Sequence, residues 1–337
     1  MTLRAGIVGS GNIAAAHVRG YRKAGAEIVA ICDVDAATLA DRCRDWEIPN
    51  GYSNHQALLD DATVDVVSIC TPNASHHPIT MAAAAAGKHV LCEKPVSLDL
   101  APGEEMVAAC EQAGVVFQVG HHLRSSAAGA QAKEMIERGD LGELAFVRFR
   151  QAHDWGGGPV RGVFGSRAES GGGTLLDNGC HLFDLARYLG GDVADVFARI
   201  STRKYDVEVE DTAVTSLGFA SGAIGQIEAA WTATGWQEAF WIFGTEGSLE
   251  LDNVVAPRSL IHRWRAAGEQ NWGGSQVTEH ELRALDAHSR HVVNFVAAVN
   301  GEREVVCTGR DGVEAVRLVL AAYESADRGV PVAISRG

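Results

Sequence analysis

A single lysine stands between the end of an apolar run and a proline, in Glu93-Lys94-Pro95. Proline has no N–H and stops the strand from pairing further, so the run delivers one ammonium to a strand end, where open α/β sheets bind ligands. A second group of reactive side chains follows the glycine run Gly171-Gly172-Gly173. Asp177 and His181 are four apart and Asp184 follows three later, so on a helix the three share one face. Leu175, Leu176, Leu182, Phe183, Leu185 and Leu189 surround them, which implies a buried helix whose polar groups need partners. An ammonium, an imidazole and carboxylates suit proton transfer. A structural Asp–His pair and a cation site are the other readings of the stripe. No second ligand cluster supports a metal, and none is expected.

The elements that must position Lys94 alternate strand and helix. Strands are expected at Leu3 to Val8, Glu27 to Cys32, Asp65 to Cys70, His89 to Cys92 and Val115 to Val119, with helices at Ala14 to Ala24, His76 to Ala86 and Leu100 to Ala113. That order predicts a Rossmann-type parallel sheet covered on both faces. Between the first strand and helix lies Gly9-Ser10-Gly11-Asn12-Ile13-Ala14, a G-x-G-x-x-A turn. Gly9 permits the bend, Gly11 lets a pyrophosphate approach, Ala14 allows close helix packing, and the amides of Ser10 through Ile13 face the phosphates. Asp33, at the end of the second strand, is suited to accept from the adenosine ribose and ill suited to sit beside a 2′-phosphate. Neither Val34 nor Asp35 offers a cation, so NAD is expected over NADP.

Thr71-Pro72-Asn73 with His76, then Glu93-Lys94-Pro95, then Gly171-Gly172-Gly173 leading to Asp177, His181 and Asp184, together resemble the glucose-fructose oxidoreductase, inositol dehydrogenase and MocA (Gfo/Idh/MocA) family. The match covers the nucleotide half and the start of the second domain. Ala14 in place of a third glycine is a variation the fingerprint allows. The resemblance implies an NAD- or NADP-linked oxidoreductase of sugars, cyclitols or their derivatives. It also implies a carboxy-terminal domain built on an open, mostly antiparallel sheet, a site in which Thr71, Asn73, His76 and Glu93 lie near the cofactor, and a cis Lys94-Pro95 bond.

In the expected chemistry, hydride leaves the substrate carbon while a proton leaves its oxygen. His181 has the ordinary pKa best suited to taking that proton near neutrality, and Lys94 would donate a hydrogen bond to the same oxygen. The two can exchange roles. Asp177 would orient His181 or hold a neighbouring hydroxyl. His122 and Arg124, after the fifth expected strand, fall at the same sheet edge as Lys94 and are candidate substrate contacts; Arg124 can instead pair with the helix that follows it. Trp155 and Arg161 are further candidates, in a glycine-rich loop that also serves as a connection.

From Glu143 onward short strands replace the alternation, at Leu144 to Phe149, Val193 to Arg203, Thr212 to Phe219 and Ala223 to Ala230, and suit an antiparallel sheet with one face on helices. Helices at Ala287 to Val299 and Gly312 to Ala326 complete the chain, divided here as a nucleotide domain over 1–122 and a substrate and oligomerisation domain over 123–337. Trp231, Trp236, Trp241, Trp264 and Trp272 lie in this half; aromatics of that kind form oligomer contacts or bind pyranose faces, and core packing is the commoner role of a strand tryptophan. A homodimer or homotetramer through the sheet is expected.

With a formal net charge of -14, the chain is a poor partner for nucleic acid or an anionic membrane. No apolar stretch approaches the roughly 20 residues of a membrane span. Seven cysteines without metal spacing read as reduced thiols, and a cytoplasmic location is expected. Two other functions compete with the dehydrogenase: an NAD-dependent, redox-neutral glycosidase, and a nucleotide-binding sensor without catalysis, for which Lys94, Asp177 and His181 would be superfluous.

Overall fold

The computed structural model describes residues 2–255, 258–265, 274–283 and 286–335. It divides into two compact units, Met1–Ser125 with Asp286–Val316, and Ser126–Leu285 with Arg317–Gly337. A late stretch of chain, Asp286–Val316, thus joins the first unit.

In the first unit the strands are β1 (Arg4–Val8), β2 (Glu27–Cys32), β3 (Asn50–Tyr52), β4 (Val66–Ile69), β5 (His89–Cys92) and β6 (Phe117–Val119). They pair in parallel in the order β3-β2-β1-β4-β5-β6. The strand order reverses between β1 and β4, the switch point at which such sheets bind dinucleotides. The helices are α1 (Ala14–Lys23), α2 (Ala36–Asp45), α3 (His55–Leu59), α4 (His76–Ala85) and α5 (Leu100–Ala113). Ile7, Ile31, Leu91, Tyr21 and Phe295 pack into one buried core, each burial contributing roughly 1.5–3 kcal/mol. Phe295 comes from the helix Ala287–Val299, which explains why that segment belongs here.

The second unit holds helices α6 (Ala127–Glu137), α7 (Arg167–Ser170) and α8 (Cys180–Gly190) and a nine-stranded sheet. Its strands are β7 (Leu144–Ala152), β8 (Val193–Ser201), β9 (Thr212–Phe219), β10 (Ile224–Ala230), β11 (Gln237–Gly244), β12 (Gly247–Asp252), β13 (Ser259–Trp264), β14 (Gln276–Glu281) and β15 (Val332–Ala333). The order is β14-β13-β12-β11-β7-β10-β9-β8-β15, antiparallel except for β7 with β10. Along β9 and β10 buried residues alternate with more exposed ones, as a sheet covered on one face requires. Between β14 and β15 run α9 (Ala287–Val299) and α10 (Gly309–Arg328). No described helix is long and apolar enough to cross a membrane.

Candidate active site

In the first unit the turn after β1 has two glycines with different reasons to be glycine. Gly9 has φ +90°, and a Cβ there would lie 2.6 Å from the Cys70 carbonyl oxygen, so the fold itself demands it. A Cβ on Gly11 would meet nothing within 4 Å. Protein packing does not explain that second glycine, whereas a pyrophosphate against the backbone does. Helix α1 then starts at Ile13 without a side-chain cap, while α2, α3, α5 and α6 are capped by Asp35, Asn54, Asp99 and Ser126. The open amides of α1 are what an anion needs.

Asp33 ends β2 and turns its carboxylate back onto this turn. One oxygen accepts from the Ser10 amide at 2.8 Å and the Ser10 hydroxyl at 2.5 Å, and the other from the Asp35 amide at 3.0 Å. Partial burial would raise its pKa, but these donors prevail and hold the carboxyl below its ordinary value. Arg42, on α2, reaches the same turn and donates from Nε to the Ser10 carbonyl at 3.2 Å. The residues after Asp33 offer no cation, as expected, but the fold supplies one a helix further on.

Lys94 follows β5, and the Lys94-Pro95 bond is cis. Glu93, directly before it, is buried and folds back to accept from the Lys94 amide at 3.3 Å and to meet His17 Nε2 at 2.9 Å. His17 Nδ1 lies 2.8 Å from Ser68 Oγ, which lies 2.8 Å from Tyr21 OH. One direction satisfies the whole row: Tyr21 donates to Ser68, Ser68 to Nδ1, and Nε2–H to Glu93. Burial alone would raise the Glu93 carboxyl. The bond from His17, with His288 and Lys94 nearby, holds it well below the usual carboxylate range instead.

His76 is fully buried, with Nδ1 2.8 Å from the Pro95 carbonyl and Nε2 3.0 Å from the Thr71 carbonyl. It ties the loop after β4 to the loop after β5. Burial keeps the ring below its ordinary pKa despite two carbonyls, so a neutral His76 donates to one of them at a time. Thr71 brings to the same edge a buried Oγ1 with no hydrogen-bond partner among the described residues, and Asn73 opens a short 3-10 turn beside it.

His122 follows β6, parallel to β5, and so shares the carboxyl edge with Lys94. Its ring stacks on His288 at 3.6 Å, and burial, then the charge of His288, push its pKa well down. Arg124 is buried, donates to the Val306 carbonyl at 3.0 Å and pairs with Asp311 at 3.1 Å. Its ion-pair partner is on α10 and not on the helix that follows it.

In the second unit, Gly173 opens a five-residue π-helical turn, Leu175–Gly179, that runs into α8. A Cβ on Gly173 would collide with the Glu210 carbonyl oxygen. The Glu210 carboxylate, also buried, accepts from the Gly173 amide at 3.1 Å, the Leu175 amide at 2.9 Å and Tyr323 OH at 2.9 Å. Its pKa is raised by burial, because its donors are dipoles that offset only part of the desolvation. Asp177 sits in the π-turn, not in the regular helix its spacing suggests, and Oδ2 accepts from Trp231 Nε1 at 3.3 Å. His181 and Asp184 are buried on α8. Trp155 packs its ring against Trp231, Phe164 and His153, and Arg161 is exposed in the loop that follows. Of the remaining tryptophans of this half, Trp236 and Trp264 are exposed, and Trp272 lies outside the described residues.

Among the described residues no cluster of His, Cys, Asp and Glu has the geometry of a metal site. His17, His288, Glu210 and Arg42 were not singled out from the sequence, and Trp231 was named only among the tryptophans of the second half. The adjacent acids Glu210-Asp211 were a signal, since consecutive carboxylates between apolar strands need donors. The others became legible only through the fold.

Comparison with known proteins gives a consistent result. Residues 3–121 match the family described as "Oxidoreductase family, NAD-binding Rossmann fold", and residues 130–250 match the GFO/IDH/MocA C-terminal domain. The chain is 33% identical over 344 residues to 1,5-anhydro-D-fructose reductase of Ensifer adhaerens, covering 99% of each. It is 31% identical over 332 residues to myo-inositol 2-dehydrogenase of Thermotoga maritima, covering 96% of each. A levoglucosan dehydrogenase solved in complex with NADH superposes over 100% of both chains with a TM-score of 0.92 at 27% identity.

Proposed function

The chain belongs to the GFO/IDH/MocA oxidoreductase family, and from that premise we propose an NAD-dependent dehydrogenase of a secondary alcohol on a sugar, cyclitol or sugar derivative. The observation that carries the reading is the carboxyl edge of the first unit's sheet. There Lys94 leaves β5 with its backbone anchored by Glu93, in the same sheet whose first strand ends at the open Gly9-to-Ile13 turn. The printed names of the relatives, a reductase of an anhydro sugar and a dehydrogenase of an inositol, support that substrate class.

When bound, the nicotinamide supplies the hydride acceptor. Lys94 donates a hydrogen bond to the substrate oxygen and favours its deprotonated form. His181 takes the proton, a role the two can exchange, since an amine stripped of water also titrates nearer neutrality. Asp177, which accepts from Trp231 through Oδ2, is proposed to hold a substrate hydroxyl or to orient His181. His122, Trp155 and Arg161 are the proposed substrate contacts. Asp33, ionised and held by Ser10, accepts from the ribose and repels a 2′-phosphate, which favours NAD over NADP.

The second unit's open sheet face carries the Arg148–Glu228–Arg150 ion pairs, with Arg148 over the Trp241 ring and Phe146 beside Phe243. Aromatic and arginine side chains of that kind support self-association as a dimer or tetramer, which light scattering in solution measures. No disulfide joins the described cysteines, and a cytoplasmic location is part of the proposal. The functional test is NADH formation against free sugars, inositols, glycosides and sugar derivatives. Steady NADH accumulation with at least one polyol supports the reading; glycoside cleavage without net NADH, or no turnover across the panel, rejects it.

A further inference from the structure

Arg42 and Arg44 lie on the same helix and are used differently. Arg44 pairs with Asp41 at 2.9 Å and Asp45 at 3.3 Å, an exposed and ordinary arrangement. Arg42 pairs with no carboxylate among the described residues. Its guanidinium lies 4.9 Å from the Trp46 ring centroid and, among the described residues, donates through Nε to the carbonyl of Ser10. Ser10 is the residue whose amide and hydroxyl hold Asp33. Three protein donors, the Ser10 N–H, the Ser10 O–H and the Asp35 N–H, thus converge on one carboxylate, with a guanidinium held on the same turn.

That is the donor set of a phosphate site with a carboxylate seated in it. A phosphate accepts the same N–H and O–H groups, and its second charge is matched by the planar fork of an arginine. We propose that Arg42 is a latent receptor for a ribose 2′-phosphate and that Asp33 selects NAD by occupying the donors the phosphate would use. The inference rests on the assignment of Asp33 to the adenosine ribose. It adds that selectivity is set by two residues acting in opposition, so that removing the acid alone uncovers a ready-made NADP site.

The test is a set of dissociation constants for NADH and NADPH, read from cofactor fluorescence, for the unmodified protein, Asp33→Ala, Arg42→Met and Asp33→Ala/Arg42→Met. Methionine keeps a stem over Trp46 while removing the charge. The unmodified protein is expected to prefer NADH. Asp33→Ala is expected to tighten NADPH about tenfold or more, and adding Arg42→Met to reverse that gain by a similar factor, the scale of a charge-assisted contact. NADH binding by each variant reports that it is folded, and Asp33→Ser replaces the alanine protein if that one binds neither cofactor.

An unmodified protein that prefers NADPH defeats the assignment of Asp33 itself. A gain in NADPH binding that survives Arg42→Met leaves that assignment standing and overturns the role of Arg42. An Asp33→Ala or Asp33→Ser protein that binds NADH with no gain for NADPH overturns the latent site.

Discussion

Each unit buries a glutamate behind the residues proposed to do chemistry, and the two are held in opposite ways. Glu93, in the first unit, meets an imidazole and lies beside Lys94, and its carboxyl is kept well below the usual range. Glu210, in the second, meets two backbone amides and a phenol, and its carboxyl is raised. Both are desolvated, so the difference lies in the partners: groups able to carry positive charge overturn the burial penalty, whereas dipoles of this number do not. A charged anchor fixes the strand end that presents an ammonium. A more weakly polar anchor fixes the π-turn that presents Asp177.

The largest effect separates the proposed chemistry from its anchors. Lys94→Ala should lower turnover by about 10²–10³-fold, the cost of losing one preorganised donor to a developing oxyanion. NAD affinity should stay within a few-fold, since the open turn is untouched. Steady-state kinetics with a cofactor titration checks this, and near-normal turnover would remove Lys94 from the reaction.

Acid should divide the two units. His291 is buried, with Nε2 donating to the Val119 carbonyl at 2.8 Å and Nδ1 facing Ser125 Oγ at 2.9 Å, and burial lowers its pKa from the ordinary 6.5 to about 4. An unfolded chain binds that proton below about pH 6.5 while the folded one does not. The group's contribution is therefore complete above pH 6.5 and is lost as pH falls toward 4, amounting to about 3 kcal/mol. His76, His122 and His288, also lowered, act in the same direction. Glu210 acts in the other: its raised pKa favours the folded state at low pH and costs stability as pH rises through it. Hydrogen exchange at pH 7 and pH 5 should show protection falling around Val119 to Ser125 and His288 to His291, and holding at Gly173 to Leu176. Equal losses in both regions would refute the contrast.

The anchors themselves can be compared by the same substitution. Glu93→Gln removes a charge whose buried partners remain and should cost about 2 kcal/mol of stability. Glu210→Gln keeps an acceptor for Tyr323 and one amide and should cost about 1 kcal/mol or less. Thermal unfolding of both variants gives the ranking, and a larger loss at Glu210 would contradict it.

What could be read from the sequence follows the same division between local and assembled structure. Strands Glu27–Cys32 and His89–Cys92 and helix Leu100–Ala113 have the limits the apolar pattern predicts. The stretch between β2 and β4 was not legible, because α2 buries none of its residues and β3 is three residues long, so neither leaves a periodic trace. Lys94 stood out because a strand, a charge and a proline are adjacent in sequence. His17 meets Glu93 from 76 positions away and Leu175 meets Glu210 from 35, pairings created only by closure of the fold. Asp177 was found with the wrong local geometry, since a spacing of four says helix and does not distinguish a π-turn from an α-turn.

The smallest predicted effect tests the second unit alone. Trp231 is fully buried, and its indole N–H is the donor to Asp177 Oδ2, at a long 3.3 Å. Trp231→Phe keeps most of the ring while deleting that donor, so stability should fall by about 1–3 kcal/mol from the smaller ring and the lost hydrogen bond. If Asp177 orients His181 or a substrate hydroxyl, the lost bond frees it to turn, and turnover should fall by a few-fold with NAD affinity unchanged. A purely structural tryptophan would lower the unfolding temperature and leave turnover per folded molecule as it was. The ratio of the two losses therefore decides whether the π-turn carries Asp177 for chemistry or for packing.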